Sequence, residues 1–338
     1  MQMTEIQKAV EALAQGKVVG MPTETVYGLA ARVDLPSGIE NIFKTKERPF
    51  FDPLIVHISD LSQLPQVVAS VPEVAKVLAE EFWPGPLTLV LPKNKNLNPM
   101  ITSGLDTVGV RMPAHPVALA LIRAVGVPLA APSANKFGKT SPTSAAHVRQ
   151  EFHKENVLVL EGGESQIGIE STVLWVKEDN GRTCLSILRK GHVLKSDIEK
   201  LLSQRGLSFE FLEKVDKKES PGHMKHHYMP PVPFILCLDP QKPESDLKKL
   251  IQAKMAGLPD VVESVRIIKP QGEIQKIAYL HLSEDPVLAA RDFYAQLRTL
   301  ADDGPDCIVL YKQSFHSGER WESLYDRIEK AASLIIKH

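Results

Sequence analysis

Residues 18–29 read Val18-Val19-Gly20-Met21-Pro22-Thr23-Glu24-Thr25-Val26-Tyr27-Gly28-Leu29. Val18 to Met21 is a short apolar run of strand length, and it stops at a proline, which cannot donate to a continuing ladder. Two hydroxyls then flank one carboxylate at the strand end, and Gly28 permits close backbone approach. Open α/β sheets take their ligands at strand ends of this kind. Read alone, the same letters also describe a helix N-cap followed by a turn, so the surrounding sequence has to decide.

Upstream, residues 5–15 carry Ile6, Ala9, Val10 and Leu13 on one helical face, with Gly16 just past the end. Downstream, helices are predicted over 39–46, 71–82, 117–125 and 196–204. They interleave with strands at 54–58, 87–91, 108–111, 129–131, 157–160, 172–176 and 186–188. Residues 214–233 change character, first charged and then rich in proline and histidine, which reads as a linker of limited flexibility. Beyond it, strands at 234–238, 265–268, 277–282 and 306–311 alternate with helices at 245–255, 287–300 and 321–336. That alternation predicts a small, mostly parallel α/β domain. The reading is α/β throughout, with a first domain over 1–205, a linker over 206–233 and a smaller domain over 234–338.

Composition agrees with this division. A length of 338 residues predicts about two domains, and 43% hydrophobic with 24% charged residues matches an ordinary globular chain. Forty basic side chains against 41 acidic ones leave a net charge of −1, which excludes the global positive field of a bulk nucleic-acid binder but not a local RNA patch. No apolar run reaches the ~18 residues of a membrane span. The three cysteines, Cys184, Cys237 and Cys307, form no C-x-x-C pair and fit a reducing compartment. No signal peptide is visible, so a cytoplasmic location is expected. Neither the dinucleotide glycine fingerprint nor the P-loop pattern is present.

Four further polar clusters fall at strand ends in the first domain. Lys44, Lys46 and Arg48 precede Pro53 and the apolar run ending at His57. Several cations there can converge on polyphosphate, and a basic helix C-terminus accounts for them equally well. Thr107 and Arg111 lie four apart on one face of a strand, and an arginine on an apolar strand requires a carboxylate from protein or substrate. Ser133 and Asn135 follow the strand at 129–131, with Ser141 beyond, and Glu170-Ser171-Thr172 open another strand. Together the clusters describe a site for a carboxylate and a polyphosphate.

P-T-E-T-V-Y-G-L at 22–29, K-x-R-P at 46–49 with P-L-I-V-H-I at 53–58, F-W-P-G-P-L-T-L-V-L at 82–91, V-G-V-R-M-P at 108–113, A-P-S-A-N at 131–135 and G-I-E-S-T-V at 168–173 closely resemble the YrdC-like threonylcarbamoyl-AMP synthases. S-P-G at 220–222, His227-Tyr228 and Pro230 resemble the linker of the longer two-domain members. The resemblance implies a YrdC-like twisted open sheet followed by a smaller Rossmann-like domain. It implies an enzyme that converts L-threonine, bicarbonate or CO2, and ATP with Mg2+ into threonylcarbamoyl-AMP, pyrophosphate and water. Downstream transfer proteins would then carry the group to adenosine 37 of ANN-decoding tRNA, with at most weak tRNA binding by this chain.

Carried over by motif, Thr25, His57, Arg111, Ser171 and the Ala131 backbone form the threonine pocket. Lys44, Arg48, Asp52, Thr107, Ser133, Asn135, Ser141, Arg189 and Tyr228 face ATP. Lys46, Arg48 and Arg111 carry the reaction, and no protein metal ligands are assigned. The linker is expected to act as a lid that excludes water, with His223, His226 and His227 solvated rather than bound to zinc. Two rivals stand beside this reading: a YrdC-type module that binds RNA through a concave basic surface, and a synthase of a different carbamoyl adenylate.

Overall fold

The computed structural model describes residues 4–179, 181–212, 227–262, 264–270 and 272–337. Ser220-Pro221-Gly222, His223 and His226, on which much of the linker reading rests, lie outside these residues. The chain divides into two units: Met1–Lys136 with Pro142–His223, and Phe137–Ser141 with Met224–His338.

In the first unit the strands are β1 (Val19–Met21), β2 (Gly28–Arg32), β3 (Ile55–His57), β4 (Leu87–Pro92), β5 (Thr107–Arg111), β6 (Leu129–Ala130), β7 (Leu158–Val159), β8 (Thr172–Asp179), β9 (Arg182–Arg189) and β10 (Glu210–Phe211). Among the described residues they form one mixed sheet in the order β10-β9-β8-β4-β5-β3-β6-β2-β1-β7. Helices cover both faces, so the inner strands read as near-continuous apolar runs. The pleat sorts β2: Leu29 and Ala31 join one apolar cluster with Ile39, Ile42 and Phe43, while Ala30 joins the other with Leu13, Leu121 and Leu129. The sequence reading assigns no strand at β2, because its small residues carry little strand signal.

The first helix, Glu5–Ala14, begins at a reciprocal capping box between Thr4 and Gln7. Helix Pro36–Lys46 starts on a proline, whose absent N–H costs nothing there, and stops at Glu47 in the left-handed region. That stop releases the chain into the Arg48–Asp52 loop.

The second unit holds β11 (Phe234–Cys237), β12 (Val261–Val262), β13 (Val265–Arg266), β14 (Ile277–Tyr279), β15 (Cys307–Tyr311) and β16 (Leu334–Ile336). β14-β15-β11-β16 form a four-stranded, wholly parallel sheet, as expected for a Rossmann-like domain. Two elements differ from the sequence reading. The strand predicted at 265–268 is one arm of a separate β12–β13 hairpin, with Val265 and Ile267 packed against Met229. The helix predicted over 321–336 ends at Ala331. Leu334–Ile336 then pairs with β11, because the open edge of a parallel strand satisfies backbone groups that a fraying helix end leaves unpaired.

Phe137–Ser141 belongs with the second unit through backbone pairing. Met229 N donates to Gly138 O (2.8 Å), Thr140 N to Met229 O (3.2 Å) and Thr140 Oγ1 to Tyr228 O (3.2 Å). No helix among the described residues is long and apolar enough to cross a membrane.

Candidate active site

The register of the central strands gathers the first group of side chains. Parallel pairing of β3 with β5 sets His57 beside Arg111. β4 lies between β5 and β8, and pairing of Leu87 with Thr172 brings Thr88 and Ser171 to the same edge. Thr88 Oγ1 and Ser171 Oγ are 2.8 Å apart.

Arg111, the buried arginine of the apolar strand, finds its carboxylate within the protein. Nη2 lies 2.6 Å from Glu24 Oε1, and both side chains are buried. Nη1 donates to Thr25 Oγ1 (2.9 Å) and Nε to Gly85 O (3.1 Å). The Glu24 contact is an ion pair without aligned hydrogen bonds, so the buried Nη2 has no hydrogen-bond partner among the described residues. Neither oxygen of Glu24 has one either. The guanidinium is thus fixed by Glu24, Thr25 and Gly85, and Nη2 keeps hydrogen-bonding capacity for a second carboxylate.

Thr25 is itself held by a hydroxyl pair with Thr23 (2.9 Å). Gly28 lets this segment approach the loop after β6: a Cβ there would stand 3.1 Å from Ala131 Cβ. Across that contact Gly28 bridges to Ser133, Leu29 N donates to Pro132 O, and Ala131 N donates to Ile55 O. Burial, and secondarily the Arg111 charge, push His57 down to about 3. The imidazole is neutral at physiological pH, and its buried Nδ1 makes no hydrogen bond among the described residues.

A second group forms around the end of helix Pro36–Lys46. Lys46 is fully buried, and its ammonium donates to the carbonyls of Ser133 and Asn135. Burial drives its pKa well below the lysine range; the Arg48 charge adds to this, and Glu151 and Asp52 oppose it. Arg48 folds over its own loop, with Nη2 donating to Asp52 O and Pro53 O at 3.0 and 2.9 Å and pairing with Asp52 Oδ2 at 2.9 Å. Asn135 is buried and donates to Lys136 O. Lys46 therefore builds the Ser133–Asn135 loop, and Arg48 the loop that follows it. Arg189 places Nε on Ser171 O and Nη2 on Ser171 Oγ, both at 3.1 Å, so it orients the serine directly.

Within the first unit, Lys44 and Thr107 stand apart from these groups. Lys44 lies on the exposed side of its helix, two residues and more than half a turn from buried Lys46. Thr107 starts β5 and Arg111 ends it, about 13 Å apart along one face. Ser141 and Tyr228 belong to the second unit, where the pairing of Phe137–Ser141 with Met229 draws them together. Tyr228 is buried there at φ 66°, its ring 4.2 Å from His227 and 5.7 Å from Tyr294, and His227, expected to be solvated, is buried as well because its ring packs against Phe137 and Tyr228. Sequence reasoning assigned no role to Glu24 or Thr88. The demand of Arg111 for a carboxylate was the available signal for Glu24; Thr88 sits in an apolar run and gave none.

Residues 11–191 match the family model described as Telomere recombination, and residues 193–333 match that of the threonylcarbamoyl-AMP synthase C-terminal domain. A threonylcarbamoyl-AMP synthase of Pyrococcus abyssi is 38% identical over 306 residues, covering 90% of this chain and 88% of the relative. One from Bacillus subtilis is 44% identical over 234 residues, covering 69% of this chain and 66% of the relative. A crystal structure of P. abyssi Sua5 complexed with L-threonine superposes with a TM-score of 0.80 at 34% identity, over 100% of this chain and 98% of that one. With both domain models matched in order and the likeness running through nearly the whole chain, it belongs to the threonylcarbamoyl-AMP synthase family in its two-domain form.

Proposed function

We propose that this enzyme condenses L-threonine, bicarbonate or CO2, and ATP into L-threonylcarbamoyl-AMP with release of pyrophosphate and water. The observation that carries the reading is Arg111: a buried guanidinium pinned by Glu24, Thr25 and Gly85, with the Nη2 contact to Glu24 an ion pair that leaves hydrogen-bonding capacity on that nitrogen, beside neutral His57 and near Ser171. A fixed guanidinium in a dry site is a receptor for a small carboxylate.

In the reaction bicarbonate takes up a proton and gives CO2 and the released water (CO2 used directly forms none), and the amine of threonine loses a proton as its nitrogen bonds to the CO2 carbon. An oxygen of the resulting N-carboxylate attacks the α-phosphorus as the bond to pyrophosphate breaks. Such a step depends on positioning and charge neutralisation rather than on a protein nucleophile. Arg111 holds the threonine carboxylate, and Thr25 and Ser171, oriented by Thr23, Thr88 and Arg189, offer hydroxyls to the substrate. His57 stays uncharged and adds no second positive charge against the amine. Lys46 and Arg48 act as positioning residues that shape the nucleotide side through the Ser133–Asn135 and Asp52–Pro53 carbonyls.

ATP enters as its Mg2+ complex. Mg2+ in such a complex is held mainly by the substrate phosphates and keeps much of its water. The product is a reactive mixed anhydride, taken up by separate proteins that modify adenosine 37 of tRNA.

Pyrophosphate release measured with threonine or bicarbonate omitted in turn tests the reading. Dependence on both is expected; release in the absence of both would overturn it. A site built around the threonine hydroxyl also rejects valine and alanine by more than an apolar pocket can.

A further inference from the structure

The second unit contains a cavity of about 170 Å³ at the carboxyl ends of β14 and β15, the position at which parallel sheets take ligands. Tyr279 and Tyr311 stack on each other there, with centroids 6.1 Å apart and planes at 14°. Their hydroxyls are already engaged, Tyr279 on Glu244 Oε2 (2.8 Å) and Tyr311 on Lys242 O (3.1 Å), so the rings offer faces and edges to the cavity. Leu282 and Phe315 add apolar surface. Among the described residues no Asp, Glu, Lys or Arg lines the space, and its remaining polar side chains are Gln313 and two histidines, His316 and the exposed His281.

Of these, His316 is the buried one. It is only 6% exposed. The backbone N–H of Gln313 donates to its Nδ1 (3.2 Å), and Tyr325 Oη stands 2.6 Å from the same nitrogen. A backbone N–H can only donate, so Nδ1 is the acceptor and the neutral ring carries its proton on Nε2. Burial, and then Lys312, push the imidazole down to about 4, which keeps it neutral at pH 7. Nε2 is buried and has no hydrogen-bond partner among the described residues. A buried donor left unpaired costs free energy that a ligand acceptor recovers.

We propose that this cavity binds one planar, uncharged six-membered heteroaromatic ring bearing a carbonyl, whose oxygen accepts the His316 Nε2–H while the ring packs against Tyr279 and Tyr311. The size fits: a cavity of ~150 Å³ holds a benzene ring. Free cytosine, uracil and nicotinamide are the probes, titrated into the full-length enzyme and followed by saturation-transfer NMR.

At least one should bind at millimolar concentration or below, and equally well when MgATP and threonine saturate the first unit. His316→Phe should weaken that binding about tenfold, the usual size for one buried hydrogen bond. Leu282→Trp, which fills the space, should abolish it. Both variants should release pyrophosphate at the wild-type rate, which separates this site from the reaction. No binding of any probe to wild type would overturn the proposal, as would binding that Leu282→Trp leaves unchanged. Should His316→Phe fail to fold, Leu282→Trp on the half-exposed rim decides alone.

Discussion

The two units each place a polar site at the ends of sheet strands, yet they fill it with opposite chemistry. In the first unit Glu24, Lys46, Arg48, Asp52 and Arg111 are all buried charged residues, held by one another and by backbone carbonyls. In the second the corresponding edge presents two tyrosines with committed hydroxyls, a buried neutral histidine, an exposed His281 and Gln313, and no Asp, Glu, Lys or Arg among the described lining residues. Sheet topology decides where a ligand goes, and the residues that follow each strand decide which charge it carries. Burying ions requires partners on every side, so the charged site is stiff and intolerant of substitution. The neutral one has little electrostatic cost to carry.

The sharpest way to break this contrast is Arg111→Ala. It leaves Glu24 as an uncompensated buried carboxylate, with an expected loss of ~3–5 kcal/mol in urea unfolding. kcat/KM for threonine should fall ~100-fold or more, as for a lost buried charge contact, while KM for ATP moves less than about threefold. Adding Glu24→Gln should restore much of the stability and none of the threonine use. Equal damage to both substrates would sink the division of roles.

A neutral buried histidine is what the two sites share, and His57 measures it. Its folded pKa lies below the unfolded value, so its contribution is fully present above pH 6.5 and is lost as pH falls towards about 3. At 1.36 kcal/mol per unit this is roughly 3–5 kcal/mol across that window. His57→Asn should flatten the stability curve between pH 6.5 and 4; an unchanged slope would show the imidazole to be charged or exposed.

Lys46→Met keeps the stem of the side chain and removes two hydrogen bonds to the Ser133–Asn135 loop. The expected cost is ~2–3 kcal/mol, with KM for ATP rising before that for threonine. Full activity with normal ATP affinity would remove the loop from the nucleotide side. The smallest effect is expected from Thr88→Val: about 1 kcal/mol, with KM for threonine raised a few-fold because Ser171 loses one of its two orienting partners.

Much of this molecule could be read from its letters. The apolar runs at 54–58, 87–91 and 234–238 became central strands because burial on both faces demands such runs. The motif residues His57, Arg111 and Ser171 stand at strand ends, and Thr25 reaches Arg111 from the loop between β1 and β2. The rest failed for physical reasons that span the chain. Lys46 reads as a free cation, since the carbonyls that consume it lie 87 and 89 residues further on. Glu24 looks like a turn residue until β5 sets Arg111 beside it. The last strand looked helical because two isoleucines and a leucine carry no local mark of the β11 edge they join.

Five residues that lie far from their unit in sequence have a practical consequence. Because Phe137–Ser141 completes the backbone pairing of Tyr228 and Met229, the smaller domain is not a contiguous gene fragment. A clone starting anywhere after residue 205 would leave the amide of Met229 and the carbonyl of Tyr228 without the partners that Gly138 and Thr140 provide. Dissection of this enzyme into expressible halves therefore calls for circular permutation or a grafted peptide, and a simple truncation at the linker should yield a poorly folded product.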